Sequence, residues 1–283
     1  MNLVIGFLAL SVCLMHQTAF GQEKLKVVTI AEPPFVYVEP GEPPQGFLID
    51  MINAISERVG FEYELYFVDD GKYGSKEPDG SWNGMVGDVQ SGKVDLALAA
   101  LSINSDRLRA IDFSYPFMEV GISITVRRPG PGEPVPFRDL YQLVESPYRY
   151  GAIADGNTLN YFTNSKYILH QEMSTLMTET WGEDTLPKNT ADAIRKMKDE
   201  DYAHLGESAY MDYWTGQDCS IMSIGSQISR TAYGLGLPKN SPWKDRINQV
   251  ILQLREDGSI ERMYTKWWQS DRCKKPEFCV CEA

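Results

Sequence analysis

Residues 94–101 (VDLALAAL) are apolar at every position except Asp95. A strand that is apolar on both faces has to be covered on both faces, which calls for a sheet clad in helices rather than one open to water. The chain on either side supplies such neighbours. Residues 25–30 are a short β-rich apolar run ending at Glu32-Pro33-Pro34. Residues 47–59 place Phe47, Met51, Ile52, Ile55 and Val59 at helical spacing, with Gly60 behind them as a left-handed helix terminator. Residues 61–68 alternate like a strand, and residues 84–91 predict a short helix closed by Gly92. Strand, helix, strand, short helix, strand is a βαβ rhythm and predicts parallel strands.

A second α/β region follows the linker PGPGEPVP at residues 129–136. Residues 150–153 predict a strand, after which Gly156-Asn157-Thr158 opens a helix running towards Phe162. Residues 190–198 predict an amphipathic helix capped by Thr190, and 202–205 a short strand. Ser241-Pro242 predicts a cap and first turn for a helix carrying Ile247, Val250, Ile251 and Leu254. No repeat of fixed period is visible. Two α/β regions joined by short crossings predict a clamshell, with a ligand cleft at the carboxyl ends of the strands.

Charge and cysteine content narrow the partners. Over 283 residues the formal net charge is −12, so the surface repels nucleic acid and anionic membranes. A small anion would need a local cluster of fixed positive groups. Residues 3–15 are apolar and Ala19-Phe20-Gly21 resembles a small-x-small cleavage site, which predicts a signal peptide over 1–21 and secretion. That apolar run falls short of the ~20 residues that span a bilayer. Cys13 would leave with the leader. Cys219, Cys273, Cys279 and Cys281 remain, an even number suited to disulfides outside the cytosol. No metal site is expected: Cys279-Val280-Cys281 lacks a two-residue gap, and His170 and His204 are distant in sequence. No cofactor motif is found either.

Four places carry recognition chemistry. Arg107 follows the end of the buried run within one turn of a short helix, and its planar fork suits a carboxylate, or else pairs with Asp106 or Asp112. Ser102, at the strand end, offers an N–H and a hydroxyl. Asp155-Gly156-Asn157-Thr158 opens a helix with free N–H groups and a hydroxyl, which is either an anion site or an ordinary cap. Glu207, just past a strand, either receives an ammonium or serves as a helix-start acid. Tyr73, in the turn Asp70-Gly71-Lys72-Tyr73-Gly74, offers a ring for stacking. Two anion sites, one cation site and an aromatic lid suit a zwitterion with a side-chain carboxylate, such as glutamate or aspartate.

At these residues the chain resembles the ligand-binding core of ionotropic glutamate receptors. The motifs are Asp70-Gly71-Lys72-Tyr73-Gly74, Trp82-Asn83-Gly84-Met85-Val86-Gly87, Ile111-Asp112-Phe113-Ser114, Pro116-Phe117-Met118, Tyr233-Gly234 and Lys266-Trp267-Trp268, and the similarity covers 24–273. The resemblance implies a bilobed α/β clamshell of the periplasmic-binding-protein type II-like kind. Lobe 1 would be 23–119 plus 234–275, lobe 2 would be 120–233, and 276–283 would be a C-terminal tail.

It further implies that Arg107 grips an α-carboxylate, helped by the N–H groups of Ser102 and Asn157. Glu207, the Ser102 hydroxyl and the Ala100 carbonyl would hold the α-ammonium. Thr158 would receive a side-chain carboxylate, Tyr73 would cover the ligand, and Glu32 and Thr190 would bond across the closed cleft. Cys219 and Cys273 would form a disulfide. Two departures bear on selectivity: Ala100 stands where many members have Pro, and Asn157 where Ser or Ala is usual.

The implied function is binding of a free amino acid, L-glutamate first, by cleft closure, with a weak homodimer as the implied association. The family's pore segments lie between the halves of this core, where the eight residues 129–136 stand here. Three membrane passes need ~60 residues, so the expectation is a secreted binding module, and a membrane-bound receptor only if the chain is a fragment. A transport-type solute-binding protein shares the fold but not the 70–74 and 266–268 motifs. A dehydratase on the same fold would need a general acid, for which Glu207 is the obvious residue. No nucleophile–histidine pair or phosphate loop is visible, so no enzyme activity is expected.

Overall fold

The computed structural model describes residues 23–154, 156–270 and 272–273. The predicted leader, Asp155, Cys279, Cys281 and the tail 276–283 lie outside the described residues. In chain order the elements are β1 (Lys24–Thr29), α1 (Phe47–Val59), β2 (Glu62–Phe67), α2 (Gly84–Gln90), β3 (Leu96–Leu98), α3 (Ser105–Ala110), β4 (Asp112–Phe113) and β5 (Met118–Arg127). There follow α4 (Leu140–Glu145), β6 (Arg149–Gly151), α5 (Asn157–Asn164), α6 (Ile168–Thr175), α7 (Thr190–Asp199), β7 (Tyr202–Glu207) and α8 (Ser208–Gln217). The last are β8 (Ile221–Tyr233), β9 (Gly236–Leu237), α9 (Lys244–Glu256) and α10 (Ser259–Trp268).

The strands form two sheets, with order β2-β1-β3-β9-β4 in the first and β6-β7-β5-β8 in the second. The fold is mixed α/β with two sheets and flanking helices, as a bilobed clamshell requires. The chain crosses between the sheets twice, from β4 to β5 and from β8 to β9, so the returning segment closes the first sheet. The predicted parallel pairing holds for β1 with β2 and β3, and β6 with β7 is parallel as well. The strands outside that run differ: β9 runs antiparallel to β3 and β4, and β5 antiparallel to both β7 and β8. Only three of the thirteen β8 residues are buried, and antiparallel pairs tolerate a wet face that parallel sheets do not. The linker 129–136 leaves the end of β5, so it lies within the second sheet's half of the chain rather than between the sheets.

Local chemistry explains the elements that hold the site. The α1 face Phe47, Met51, Ile52 and Ile55 is fully buried, and Gly60 closes the helix at φ 84°, donating its N–H to the Ser56 carbonyl. The β3 residues Leu96, Ala97 and Leu98 are all buried, as the two-sided apolar run demands. The second sheet covers its own core, with Ile122, Ile124, Leu205 and Phe162 at its centre. Two predicted caps move. Asn189, not Thr190, caps α7: its Oδ1 accepts the Asp192 N–H at 2.9 Å, while Thr190 opens the helix and is buried. The regular part of α9 starts at Lys244 rather than at Pro242, although the Ser241 hydroxyl still accepts the Trp243 N–H at 3.4 Å and its carbonyl the Lys244 N–H at 3.3 Å.

Cys219 and Cys273 are bonded, with Cα atoms 5.2 Å apart across 54 residues of sequence. The bridge ties the connection between α8 and β8 to the segment after α10. A loop of that length removes enough chain entropy from the unfolded state to stabilise by about 2–4 kcal/mol. Urea unfolding with and without reductant should show a loss of that size, with binding retained in the folded fraction. A second stability term depends on pH. Neither ring nitrogen of His204, buried in β7, has a hydrogen-bond partner among the described residues. Burial pushes its imidazole down to about 4. The unfolded chain takes up this proton near the ordinary ~6.5, so between the two values it binds more protons than the folded chain. Stability should therefore fall as the pH drops through that window, and urea midpoints of His204→Leu should lose part of the decline.

Candidate functional site

Beyond β3 the chain turns through Ala100 and Ser102 and enters α3. Asn104 caps this helix, its Oδ1 accepting the Arg107 N–H at 2.9 Å, and so fixes where Arg107 stands. The Arg107 guanidinium is buried at 7% exposure. Its Nη1 donates to the Ser102 carbonyl at 3.0 Å, while Nε and Nη2 donate to the Gly74 carbonyl at 3.3 and 3.1 Å. The side-on pair, Nε and Nη2, is thus turned to Gly74, and one N–H on each terminal nitrogen is left without a partner among the described residues for a carboxylate to accept. The alternative partners are taken: Asp106 pairs with Arg109, and Asp112 with Lys239 at 3.0 Å and Lys244 at 3.2 Å. Burial pushes the guanidinium below its ordinary value, opposed by the charge of Glu207. An incoming anion would relieve that cost.

Glu207 ends β7 and faces Arg107's surroundings from the second sheet. Its Oε1 accepts from the Ser102 hydroxyl at 2.7 Å and from Asn157 Nδ2 at 3.2 Å, and its Oε2 accepts from the Tyr233 hydroxyl at 2.6 Å. The Ser102 bond joins the two halves of the chain at the site. Asn157 makes a second junction, its Oδ1 accepting from Asn104 Nδ2 at 3.5 Å. Thr158, buried in the first turn of α5, has no hydrogen-bond partner for its hydroxyl among the described residues. The N–H groups of Asn157 and Thr158 lie in the turn where a helix leaves its donors open. The Ala100 carbonyl likewise meets no donor among the described residues.

A second cluster lies beside the first. Tyr73 donates its hydroxyl to Glu32 Oε2, Tyr210 donates to the same oxygen at 3.2 Å, and the two phenol oxygens are 2.7 Å apart. Tyr73 is thus hydrogen-bonded rather than simply stacked. The expected bond between Glu32 and Thr190 is not formed. Two phenols satisfy the Glu32 oxygen, that of Tyr73 and that of Tyr210 on α8, which packs in the same apolar cluster as Phe35 and Phe47. Burial raises the Glu32 carboxyl above its ordinary range, against the lowering effect of the two phenols, and the Glu207 charge adds to the rise.

Of the expected site residues, Ser102, Asn157 and Glu207 meet at one carboxylate. Arg107 is tied to them through the Ser102 carbonyl, and Glu32 with Tyr73 forms the neighbouring cluster. Thr190 joins neither. Three participants were not predicted. Tyr233 sat in the quoted Tyr233-Gly234 motif, and Asn104 carried a cap signature ahead of Arg107. Tyr210, inside α8, had no sequence signal. A guanidinium with open N–H groups, helix-start N–H groups, and a carboxylate beside a free carbonyl offer donors to an anion and acceptors to a cation within one site. Among the described residues no group of His, Cys, Asp and Glu is placed to hold a metal, and no helix is long and apolar enough to cross a membrane.

Comparison with known proteins agrees with this chemistry. A family profile described as "Ligated ion channel L-glutamate- and glycine-binding site" matches residues 23–130. The chain is similar to proteins named "Glutamate receptor ionotropic, kainate 5" from mouse, rat and human, at 28% identity over 379 residues. Each match covers 89% of this chain and 38% of the relative. The chain therefore spans well under half the length of these relatives. The aligned stretch is also longer than the chain itself, so the relatives carry inserted sequence that this chain lacks.

Proposed function

We propose that this chain, a ligand-binding region of the ionotropic glutamate receptor type, binds a free α-amino acid between its two sheets and holds it by closure of the cleft. The observation that carries the reading is Arg107, a buried guanidinium with open N–H groups and no carboxylate partner among the described residues, joined to Glu207 through Ser102. In this reading the fork and the N–H groups of Ser102 and Asn157 take the α-carboxylate. Glu207, the Ser102 hydroxyl and the Ala100 carbonyl take the α-ammonium. Thr158 faces the side chain, and Tyr73 covers it. A ligand touching both halves favours the closed arrangement by its differential affinity for it. The family is one of receptors, not enzymes, so the ligand leaves unchanged.

The resemblance ranks L-glutamate first, with Thr158 as the seat of its side-chain carboxylate. Calorimetric titration with L-glutamate, L-aspartate, glycine, D-serine and L-alanine tests the reading. Saturable one-to-one binding of at least one of them is the expected result, and no binding by any of the five would overturn it. Secretion and a weak homodimer belong to the same reading. Sedimentation equilibrium across a range of concentrations tests the dimer.

A further inference from the structure

Four side chains close a ring across the site. Ser102 and Asn104 stand two residues apart beyond β3, while Asn157 opens α5 and Glu207 ends β7. The Ser102 hydroxyl donates to Glu207 Oε1 at 2.7 Å, and Asn157 Nδ2 donates to the same oxygen at 3.2 Å. Asn104 Nδ2 donates to Asn157 Oδ1 at 3.5 Å. The Asn157 carboxamide thus links Glu207 to the residue that caps the Arg107 helix. Oε1 holds two donors, about what one carboxylate oxygen accepts. Of the donors to Glu207 the amide is the most weakly held. Its bond is the longest, and Asn157 is half-buried whereas Ser102 and Tyr233 are buried.

We infer that the Asn157 carboxamide is a built-in competitor for the ligand's ammonium, and so holds down the affinity of the cleft. This rests on the amino-acid reading above and adds what regulates its site. An ammonium seated against both the Ser102 hydroxyl oxygen and Glu207 arrives at Oε1, the oxygen that Ser102 bonds. A bond between two charged groups is stronger than one from a neutral amide, so the ammonium takes the place. The amide bond that it breaks is subtracted from the affinity. Asn104 works in the same direction, because it holds the other end of the carboxamide and keeps the amide aimed at Glu207. The main-chain N–H of Asn157, which the reading assigns to the α-carboxylate, is unaffected by a change of side chain.

The test is calorimetric titration of the full chain and of Asn157→Ala with L-glutamate, L-aspartate, glycine, D-serine and L-alanine. The amino acid that the parent binds best is expected to bind Asn157→Ala at least about threefold more tightly. A residue that merely shaped the cleft would lose affinity when truncated, not gain it. Asn104→Ser keeps an oxygen to cap α3 and loses the amide that holds Asn157, so it should give a smaller gain. The double variant should gain no more than Asn157→Ala alone, since both changes act on one bond. Equal or weaker binding by Asn157→Ala would overturn this inference and leave the amino-acid reading standing. No binding of any of the five by the parent would overturn that reading, and this inference with it. If Asn157→Ala does not fold, Asn104→Ser decides: a gain supports the inference and its absence overturns it.

Discussion

Arg107→Ala should abolish measurable amino-acid binding while leaving the chain folded. In a desolvated ion pair, truncating one partner typically costs about 2–5 kcal/mol, which is a loss of roughly thirtyfold to several thousandfold in affinity. The loss is large because no second cation is among the site residues: the phenols and the Asn157 amide are bonded to Glu32 and Glu207, and the donors left at the start of α5 are neutral. The effect on stability should be small. Alanine removes the bonds to the Gly74 and Ser102 carbonyls, but it also removes a buried charge that has no carboxylate partner. Those changes oppose one another. Arg107→Lys keeps the charge and loses the fork, so it should recover only part of the affinity. Titration alongside urea unfolding separates the two effects. Binding within about threefold of the parent in Arg107→Ala would end the assignment of this residue to the α-carboxylate.

The sequence was most legible where one physical demand acted alone. The α1 helix has a single apolar face and a glycine at its end, and both of its ends fall where periodicity and Gly60 put them. The two-sided burial of β3 followed from its apolar run in the same way. The β8 strand was invisible because it lies at the edge of its sheet with only three of its thirteen residues buried. Its polar sequence is interrupted by left-handed backbone at Gly225 and Ser229, and no run of period two survives that. Helix α8 was hidden for the opposite reason. Ser208, Ala209, Tyr210, Met211 and Tyr213 are all buried, so it shows no polar face from which to read a period.

The site followed the same rule. Residues that act by their own chemistry, such as Arg107 and Glu207, could be named from type and position. The partner of Glu32 could not, because it depends on how α8 packs. The resemblance implied Thr190 as its partner, while the phenols of Tyr73 and Tyr210 reach the carboxylate.

Phe35→Ala should be the most destabilising single core change near the site, and it should weaken binding as well. Phe35 is 1% exposed, in the loop just after Glu32. Its ring lies 6.1 Å from Phe47, 5.1 Å from Tyr210, 5.7 Å from Tyr233 and 5.2 Å from Trp268, centroid to centroid. Truncating such a residue typically costs about 3–5 kcal/mol, through lost transfer energy and the cavity left behind. Two of the four rings carry the hydroxyls that bond Glu32 and Glu207, so the cavity also frees the groups that orient both carboxylates. Phe35→Leu separates the two roles. It keeps much of the buried volume, and its cost should fall to about 1–1.5 kcal/mol. It lacks the edge-on ring contacts, each worth about 0.5–1.5 kcal/mol, that hold Tyr210 and Tyr233 in place. Affinity for the preferred amino acid should therefore stay reduced several-fold in Phe35→Leu although most of the stability has returned. Full recovery of both by leucine would show that Phe35 serves only to fill space, and that the two tyrosines are positioned by their hydrogen bonds alone.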